Sequence, residues 1–153
     1  MSAAPQPLIG IDARAAAEVP AGRGRLVREL LLALARRDEP LRVNLYARTA
    51  WDGLPDDPRF TWRLIDAPDP LWHVRAAADA RHDDVFLSTN SYLTAWFLRP
   101  PSIVVVCDLV PWIPGAQAQR RAARIERATI RPALRRTSGL LCISQATEQD
   151  LLA

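Results

Sequence analysis

The sequence contains no lysine, and its 20 basic residues are all arginine. Without lysine there is no Gly-Lys-Ser/Thr loop, so the P-loop class of nucleotide-binding proteins is excluded. The formal net charge is only +3, which by itself does not indicate a nucleic-acid partner, and we expect none. Only the positions of the arginines can therefore carry information about a charged ligand.

Histidine and cysteine are also scarce. The chain has two of each, His73, His82, Cys107 and Cys142, with no CxxC or metal-ligand spacing. We expect no metal site, no disulfide framework and a reduced, cytoplasmic protein. We also expect His73 to be an exposed helix residue, and His82 to stand at a helix end, where the dipole favours it.

Long apolar runs are absent too. No run is long enough to span a bilayer, and residues 1–7 lack the basic stretch and apolar core of a secretory signal. The composition is otherwise ordinary for a globular protein, with 49% hydrophobic and 24% charged residues. The 153 residues suit one domain with its own core, so we treat residues 1–153 as one domain.

Short apolar runs alternate with helical patterns along the chain. After Arg25, leucines at helical spacing predict a first long helix that ends at Pro40. Helical segments are also expected at residues 71–80 and after Ser144, which caps the last helix unless Thr147 does. The predicted strands are residues 8–11, 41–47, 60–65, 85–87, 103–106 and 139–143. This alternation predicts an α/β fold: an open, mostly parallel, doubly wound (Rossmann-like) sheet with helices on both faces.

Polar residues and glycines follow several of these strands. Parallel sheets bind ligands outside the carboxyl ends of their strands, so we expect these residues to lie along one edge. They are Asp12, Arg14, Gly22, Gly24, Asn90, Asp108 and Ser144.

The segment at residues 22–25, Gly-Arg-Gly-Arg, precedes the first long helix. Glycines let the backbone approach a ligand, and the free N–H groups of a helix start suit a phosphate or carboxylate. A dinucleotide loop is disfavoured, because Val27 replaces the third glycine, the segment begins late after the strand, and Arg48 rather than an acid ends the second strand. Glycines that only turn the chain remain an alternative.

A succession of motifs spans nearly the whole chain. It begins with Ile9-Gly-Ile-Asp-Ala-Arg14, Gly22-Arg-Gly-Arg25 and Arg28-Glu-Leu-Leu31. It continues with Val105-Val-Cys-Asp-Leu-Val-Pro111 and Leu141-Cys-Ile-Ser-Gln-Ala-Thr147, followed by Asp150-Leu151. These motifs resemble the "GIDAR", "GIGRY" plus helix, "TVHDLIP" and "VSEATRRDL" motifs of glycosyltransferase family 4.

The resemblance implies one half of a GT-B enzyme, in which two Rossmann-like domains face a cleft. The first domain holds the acceptor and the second holds the nucleotide-sugar, which is a co-substrate; no metal or other cofactor is needed, and the anomeric configuration is retained. The chain corresponds to the amino-terminal, acceptor-side domain, and the carboxyl-terminal donor-binding domain is absent from it. We therefore expect no sugar transfer by this chain alone.

Site residues follow from the same resemblance. The segment Gly22, Arg23, Gly24 and Arg25 matches the loop that approaches the donor diphosphate. The catalytic candidates are Asp108, which matches an acidic residue beside the transferred sugar, and Cys107, which stands where the family usually has a histidine. A thiol is a weaker hydrogen-bond donor than an imidazole, so sugar contact or activity is expected to differ. The expected cleft edge consists of Asp12, Arg14, Asn90, Trp112 and Ser144, although Trp112 suits core packing equally well.

The segment at residues 117–136 is rich in arginine. On a continuous helix, the arginines at 120, 124, 127, 131 and 135 form one stripe, and Pro132 is expected to bend or interrupt that helix. The stripe is interpreted either as a solvated face or as a contact for an acidic membrane surface or a lipid-linked, phosphate-bearing acceptor. A peripheral position at the inner membrane face and a dimer through an exposed domain face are further expectations. The competing class of function is a non-catalytic α/β binding or interaction module.

Overall fold

The computed structural model describes residues 6–107, 109 and 120–152. Within them lie six strands, β1 (Leu8–Asp12), β2 (Arg42–Ala47), β3 (Phe60–Leu64), β4 (Val85–Ser88), β5 (Ser102–Val106) and β6 (Gly139–Cys142). The helices are α1 (Arg14–Glu18), α2 (Arg23–Ala35), α3 (Leu71–Asp79) with a 3-10 turn at Ala80–His82, α4 (Tyr92–Phe97), α5 (Arg120–Arg136) and α6 (Gln145–Leu152).

All six strands are parallel and form one sheet in the order β3-β2-β1-β4-β5-β6. The predicted open, parallel α/β sheet is confirmed. The direction of strand progression reverses between β1 and β4. At such a switch point the loops that follow the two strands diverge and leave a crevice.

Two core clusters lie on opposite faces of the sheet, because successive side chains of a strand point to opposite sides. On one face, Ile11, Val43 and Leu45 pack with Val27 and Leu31 of α2. The other face holds a second cluster, which includes Tyr46 of β2, Phe86 of β4, and Trp72, Ala76 and Ala80 at α3 and its turn. Full burial of a side chain such as Leu31 contributes about 1.5–3 kcal/mol. The helices therefore cover both faces, as a doubly wound sheet requires.

The connection from β1 to α2 contains a helix that the sequence did not predict. No helix was predicted between the end of β1 and Gly22, but Arg14–Glu18 forms α1. Gly22 caps α2 with a φ of 55°, a left-handed conformation that favours glycine. Gly24, predicted to belong to a loop, lies inside the first turn of α2.

The corner between α1 and α2 is closely packed. A Cβ on Gly24 would lie 1.7 Å from the carbonyl oxygen of Val19 and 2.8 Å from that of Ala15. The Arg28 side chain donates to the carbonyls of Ala16 (2.8 Å), Val19 (3.1 Å) and Pro20 (2.6 Å). The start of α2 is thus held against α1 by close backbone contact and by one guanidinium.

The sequence predicts that Pro132 bends or interrupts helix α5. The helix continues through Pro132, so it is not interrupted there. Proline removes one backbone N–H from the helix. In the turn before it, the indole Nε1 of Trp96 donates to the carbonyl of Thr129 (2.9 Å). Ala133 packs with Ala95 and Val104, which fixes the same turn of α5 against α4 and the sheet. No helix in the described ranges is both long and apolar enough to cross a bilayer.

The α1–α2 corner predicts the effect of one substitution. Gly24→Ala should lower the free energy of unfolding by about 2 kcal/mol or more, because the new Cβ collides with backbone atoms that cannot move cheaply. Urea denaturation measures this. Gly139→Ala in β6 is the matched control, since its Cβ would meet only Ile103 Cγ1 at 3.7 Å. Equal stability of the two variants would contradict the assignment.

Candidate functional site

The crevice at the switch point lies between the segments that follow β1 and β4. Two hydrogen bonds cross it. The hydroxyl of Thr89 donates to the carbonyl of Asp12, and Arg23 Nη1 donates to the carbonyl of Asn90 (2.8 Å). The structure therefore brings together the glycine segment, the end of β1 and Asn90, as predicted for one edge of the sheet.

The start of α2 forms one wall of this crevice. No side chain caps the helix, and its first turn contains no acidic residue. Gly22, Arg23 and Arg25 are exposed, whereas the N–H of Gly24 donates to the carbonyl of Ala21 (3.1 Å). A helix start with exposed arginines favours an anion near it.

The Asp12 and Arg14 side chains form a buried ion pair rather than an open edge of the crevice. The Arg14 guanidinium donates to the Asp12 carboxylate through Nη2 (2.7 Å) and Nε (3.0 Å). Their side chains are 0% and 2% exposed, in that order. Burial opposes the charge of Arg14, but attraction by Asp12 and Asp69 raises its pKa above the ordinary value. Both residues occupy the predicted strand end, but their side chains neutralise each other.

A polar network extends from this pair across the carboxyl ends of β1 and β2. Asp69 accepts from Arg14 Nη1 (3.3 Å) and Arg48 Nη2 (2.8 Å). Arg48 also pairs with Glu18 of α1 (3.2 Å). The Arg14 guanidinium lies 3.6 Å from the ring centroid of Trp72, a cation–π contact. The network fixes the segment before α3 against α1 and the sheet.

His73 is buried, so the prediction of an exposed helix residue was wrong. Its Nδ1 lies 2.8 Å from Thr94 Oγ1, and its Nε2 lies 3.3 Å from Asp69 Oδ1. Burial, followed by repulsion from Arg14, lowers the pKa of His73 to about 4. Sequence spacing contained a signal for this. His73 shares a helical stripe with Ala76, Ala77 and Ala80, all of which are buried.

The ends of β5 and β6 form a second part of the same sheet edge. The Ser144 Oγ accepts from the N–H of Thr147 (3.1 Å), which confirms Ser144 as the cap of α6. Thr147 Oγ1 donates to the carbonyl of Cys107 (3.4 Å). Cys107, at the end of β5, is partly exposed. Asp108 and Trp112, the other predicted site residues of this region, lie outside the described residues.

Comparison with known proteins adds no assignment: no family model and no curated protein matches this chain. Within the described residues, no group of three or more His, Cys, Asp and Glu side chains is placed to hold a metal ion. The arrangement of the switch-point crevice is therefore the observation that bears on function.

The environment of His73 predicts a pH dependence of stability. The folded state lowers the His73 pKa from 6.5 to about 4, so it binds fewer protons than the unfolded chain between these values. The contribution of neutral His73 to the free energy of unfolding is therefore complete above pH 6.5 and is lost as the pH falls toward 4. The loss is at most about 3 kcal/mol.

Urea denaturation of wild type and of a His73 variant between pH 7.5 and about pH 4 separates the effect of His73 on stability from that of the carboxylates, which both proteins share. His73→Asn keeps a polar atom near the position of Nδ1 but does not titrate, so the stability gap between wild type and variant should shrink as pH falls. His82→Asn is the matched control, because it makes the same substitution at an exposed histidine. Parallel curves for wild type and His73→Asn would contradict the assignment.

Proposed function

We propose that this chain is the amino-terminal, acceptor-side domain of a retaining, nucleotide-sugar-dependent glycosyltransferase of family 4. The observation that carries the proposal is the uncapped start of α2 at the switch point, held against Asn90 by Arg23. The motifs of the sequence resemble this family in the same order along the chain. A parallel sheet of order β3-β2-β1-β4-β5-β6 is the architecture that a GT-B half requires.

The chemistry assigns a role to the α2 start. During transfer, the bond from the anomeric carbon of the sugar to the diphosphate breaks, and a bond from that carbon to an acceptor oxygen forms. Negative charge grows on the departing diphosphate. Backbone N–H groups and arginines that are fixed beforehand stabilise this charge without further reorganisation. Gly22, Arg23 and Arg25 supply such groups. The resemblance to the family assigns Cys107 and Asp108 to the part of the site beside the transferred sugar.

A second domain is part of the proposal. In a GT-B enzyme the nucleotide is held by the donor-binding domain, across the cleft from this chain. The end of the chain carries exposed apolar side chains that fit a further packing partner, such as that domain or a second copy. These are Leu140 (41% exposed), Leu141 (50%), Ile143 (51%) and Leu152 (80%).

A non-catalytic α/β binding module is the second candidate. The observation in its favour is that Asp12 and Arg14 form a buried ion pair with each other. Two of the expected cleft residues therefore offer no side chain to a substrate. Such a module would bind ligands at the switch point without turnover. Activity of the two-domain protein distinguishes the two candidates.

The transfer test joins residues 1–153 to the donor-binding domain of a family 4 enzyme. Nucleotide-sugars are then screened with sugar and lipid-linked acceptors. We expect transfer by the joined protein and none by the 153-residue chain. Turnover by the chain alone would contradict the two-domain proposal, and binding without turnover by the joined protein would favour the module.

Cys107 provides a sharper test within that assay. Cys107→His should increase kcat about tenfold, because an imidazole adds one well-placed hydrogen bond to the sugar. Cys107→Ser is the matched control, since it keeps the size of the side chain but adds no imidazole. If the kcat of Cys107→His is no higher than that of Cys107→Ser, the assignment of Cys107 to the site would be wrong.

The arginine stripe of α5 supports a peripheral contact with an acidic membrane. Arg124, Arg131 and Arg135 are exposed, whereas Thr129 and Ala133 on other faces are buried. Clustered arginines are attracted to anionic lipid headgroups, and salt screens this attraction. The alternative is a helix face that is merely solvated.

Vesicle flotation tests this contact. The chain should float with phosphatidylserine-containing vesicles, remain behind with neutral phosphatidylcholine vesicles, and lose binding at high salt. The triple variant Arg124→Gln, Arg131→Gln, Arg135→Gln should not float. A control that removes three other exposed arginines, Arg75→Gln, Arg81→Gln and Arg99→Gln, should float as the wild type does. Binding that ignores lipid charge would refute the contact.

A further inference from the structure

A second concave site lies along β2 and β3, from Arg42 at the start of β2 to Arg63 near the end of β3, and it also includes Leu8 at the start of β1. It is a cavity of about 120 Å³. We call it the arginine cavity, because three of its lining side chains are arginines. Its polar lining consists of Arg42 and Asn44 from β2, Arg59 from the segment before β3, and Thr61 and Arg63 from β3.

The sheet register explains how these side chains meet. Asn44 is paired with Thr61, and Tyr46 is paired with Arg63. Alternate residues of a strand share a face, so Arg42, Asn44, Thr61 and Arg63 lie on one side of the sheet. Asn44 and Thr61 form the middle of the cavity, with Arg42 toward one end of the paired strands and Arg63 toward the other.

Two of the three guanidinium groups have unused donors. Arg59 is engaged by the Asp57 carboxylate (2.7 Å) and by the carbonyl of Ala35 (2.8 Å). Within the described residues, the Arg63 side chain makes one hydrogen bond, from its Nε to Asn44 Oδ1 (3.3 Å). In the same part of the chain, the Arg42 guanidinium has no hydrogen bond or ion pair. An arginine carries five N–H donors, so most of those of Arg42 and Arg63 remain available.

The buried carboxylate of Asp83 does not line the cavity. Asp83 accepts from Asn44 Nδ2 (2.7 Å) and from the hydroxyl of Tyr46 (2.9 Å), so both of its oxygens are bound. Asn44 stands between this carboxylate and the cavity, with its amide group toward Asp83 and its oxygen toward Arg63. The lining itself contains three cations and no carboxylate.

We propose that the arginine cavity binds a phosphate-class oxyanion through Arg42 and Arg63, with the hydroxyl of Thr61 between them. Guanidinium groups match the oxygens of phosphate with paired, charge-assisted hydrogen bonds. The cavity is well below the range of about 300–1,000 Å³ that is typical of sites for drug-sized ligands. It therefore suits a single phosphate group, either free or at the end of a small monoester whose organic part remains in solvent.

Titration of the intact chain with inorganic phosphate tests the site, by calorimetry and by the shift of the thermal unfolding midpoint. Saturable binding with a Kd on the order of 1 mM or tighter is expected, together with a rise in the midpoint as phosphate accumulates. Sodium chloride of equal ionic strength should produce neither effect. Absence of saturable phosphate binding would overturn the proposal.

Matched variants locate the binding. Arg42→Gln and Arg63→Gln should each weaken phosphate binding at least about tenfold, because each removes charge-assisted hydrogen bonds. Arg99→Gln removes the same charge from an exposed position elsewhere and should bind as the wild type does. Among the described residues the Arg42 side chain has no hydrogen bond or ion pair to lose, so its variant should fold normally even if Arg63→Gln is destabilised. Wild-type affinity in Arg42→Gln, or equal weakening in Arg99→Gln, would overturn the assignment.

Glycerol 3-phosphate distinguishes the two sources of the oxyanion. Binding of both ligands with the same dependence on Arg42 supports a site open to monoesters. Binding of inorganic phosphate alone supports a site for the free ion. If the two ligands do not compete with each other, and if the affinity for each is unchanged in Arg42→Gln, the proposal of a shared site would be contradicted.

Discussion

A buried ion pair, Asp12 with Arg14, connects the parts of the fold that surround the switch point. Arg14 begins α1, lies over the Trp72 ring and reaches Asp69, while Asp12 ends the central strand β1. Removal of one member of such a pair leaves a buried charge and typically costs about 3–5 kcal/mol, although a well-packed apolar replacement of both can be neutral. The pair therefore specifies geometry more than it adds stability. It fixes the residue at which α1 begins, and α1 leads directly to the start of α2.

The strands and α2 were predictable because their signals are local. Apolar runs near residues 8, 43, 86 and 104 have the length of buried strands, and the leucines after Arg25 recur at helical spacing. In the structure the buried face of α2 contains Val27 and Leu31, whereas Leu26 is exposed. Helix α1 was missed because five residues offer too short a window for helical periodicity. Gly24 was assigned to a loop because its requirement is a backbone contact with Val19, which sequence spacing does not contain.

The candidate site was predictable in its order along the sheet edge but not in the use of its side chains. Parallel strands bring their carboxyl ends to one edge, so Asp12, Asn90, Cys107 and Ser144 fall there from topology alone. Whether a polar group faces solvent or an internal partner depends on contacts between distant segments. Asp69 lies 55 residues from Arg14 along the chain. The same limit applies to His73, whose partner Thr94 belongs to another helix.

The internal pairing of Asp12 also changes the electrostatics of the crevice. A free carboxylate at the end of β1 would repel an anionic ligand from the start of α2. Because Arg14 neutralises that carboxylate inside the protein, the described residues at the start of α2 present the partial positive charge of the helix together with the exposed Arg23 and Arg25. Arg23 also spans the crevice to Asn90, so a ligand phosphate would meet a fixed cation rather than a mobile one. In general, a helix start with a cation fixed beside it stabilises a dianionic group more than a neutral one, because its donors need no reorganisation when the charge arrives.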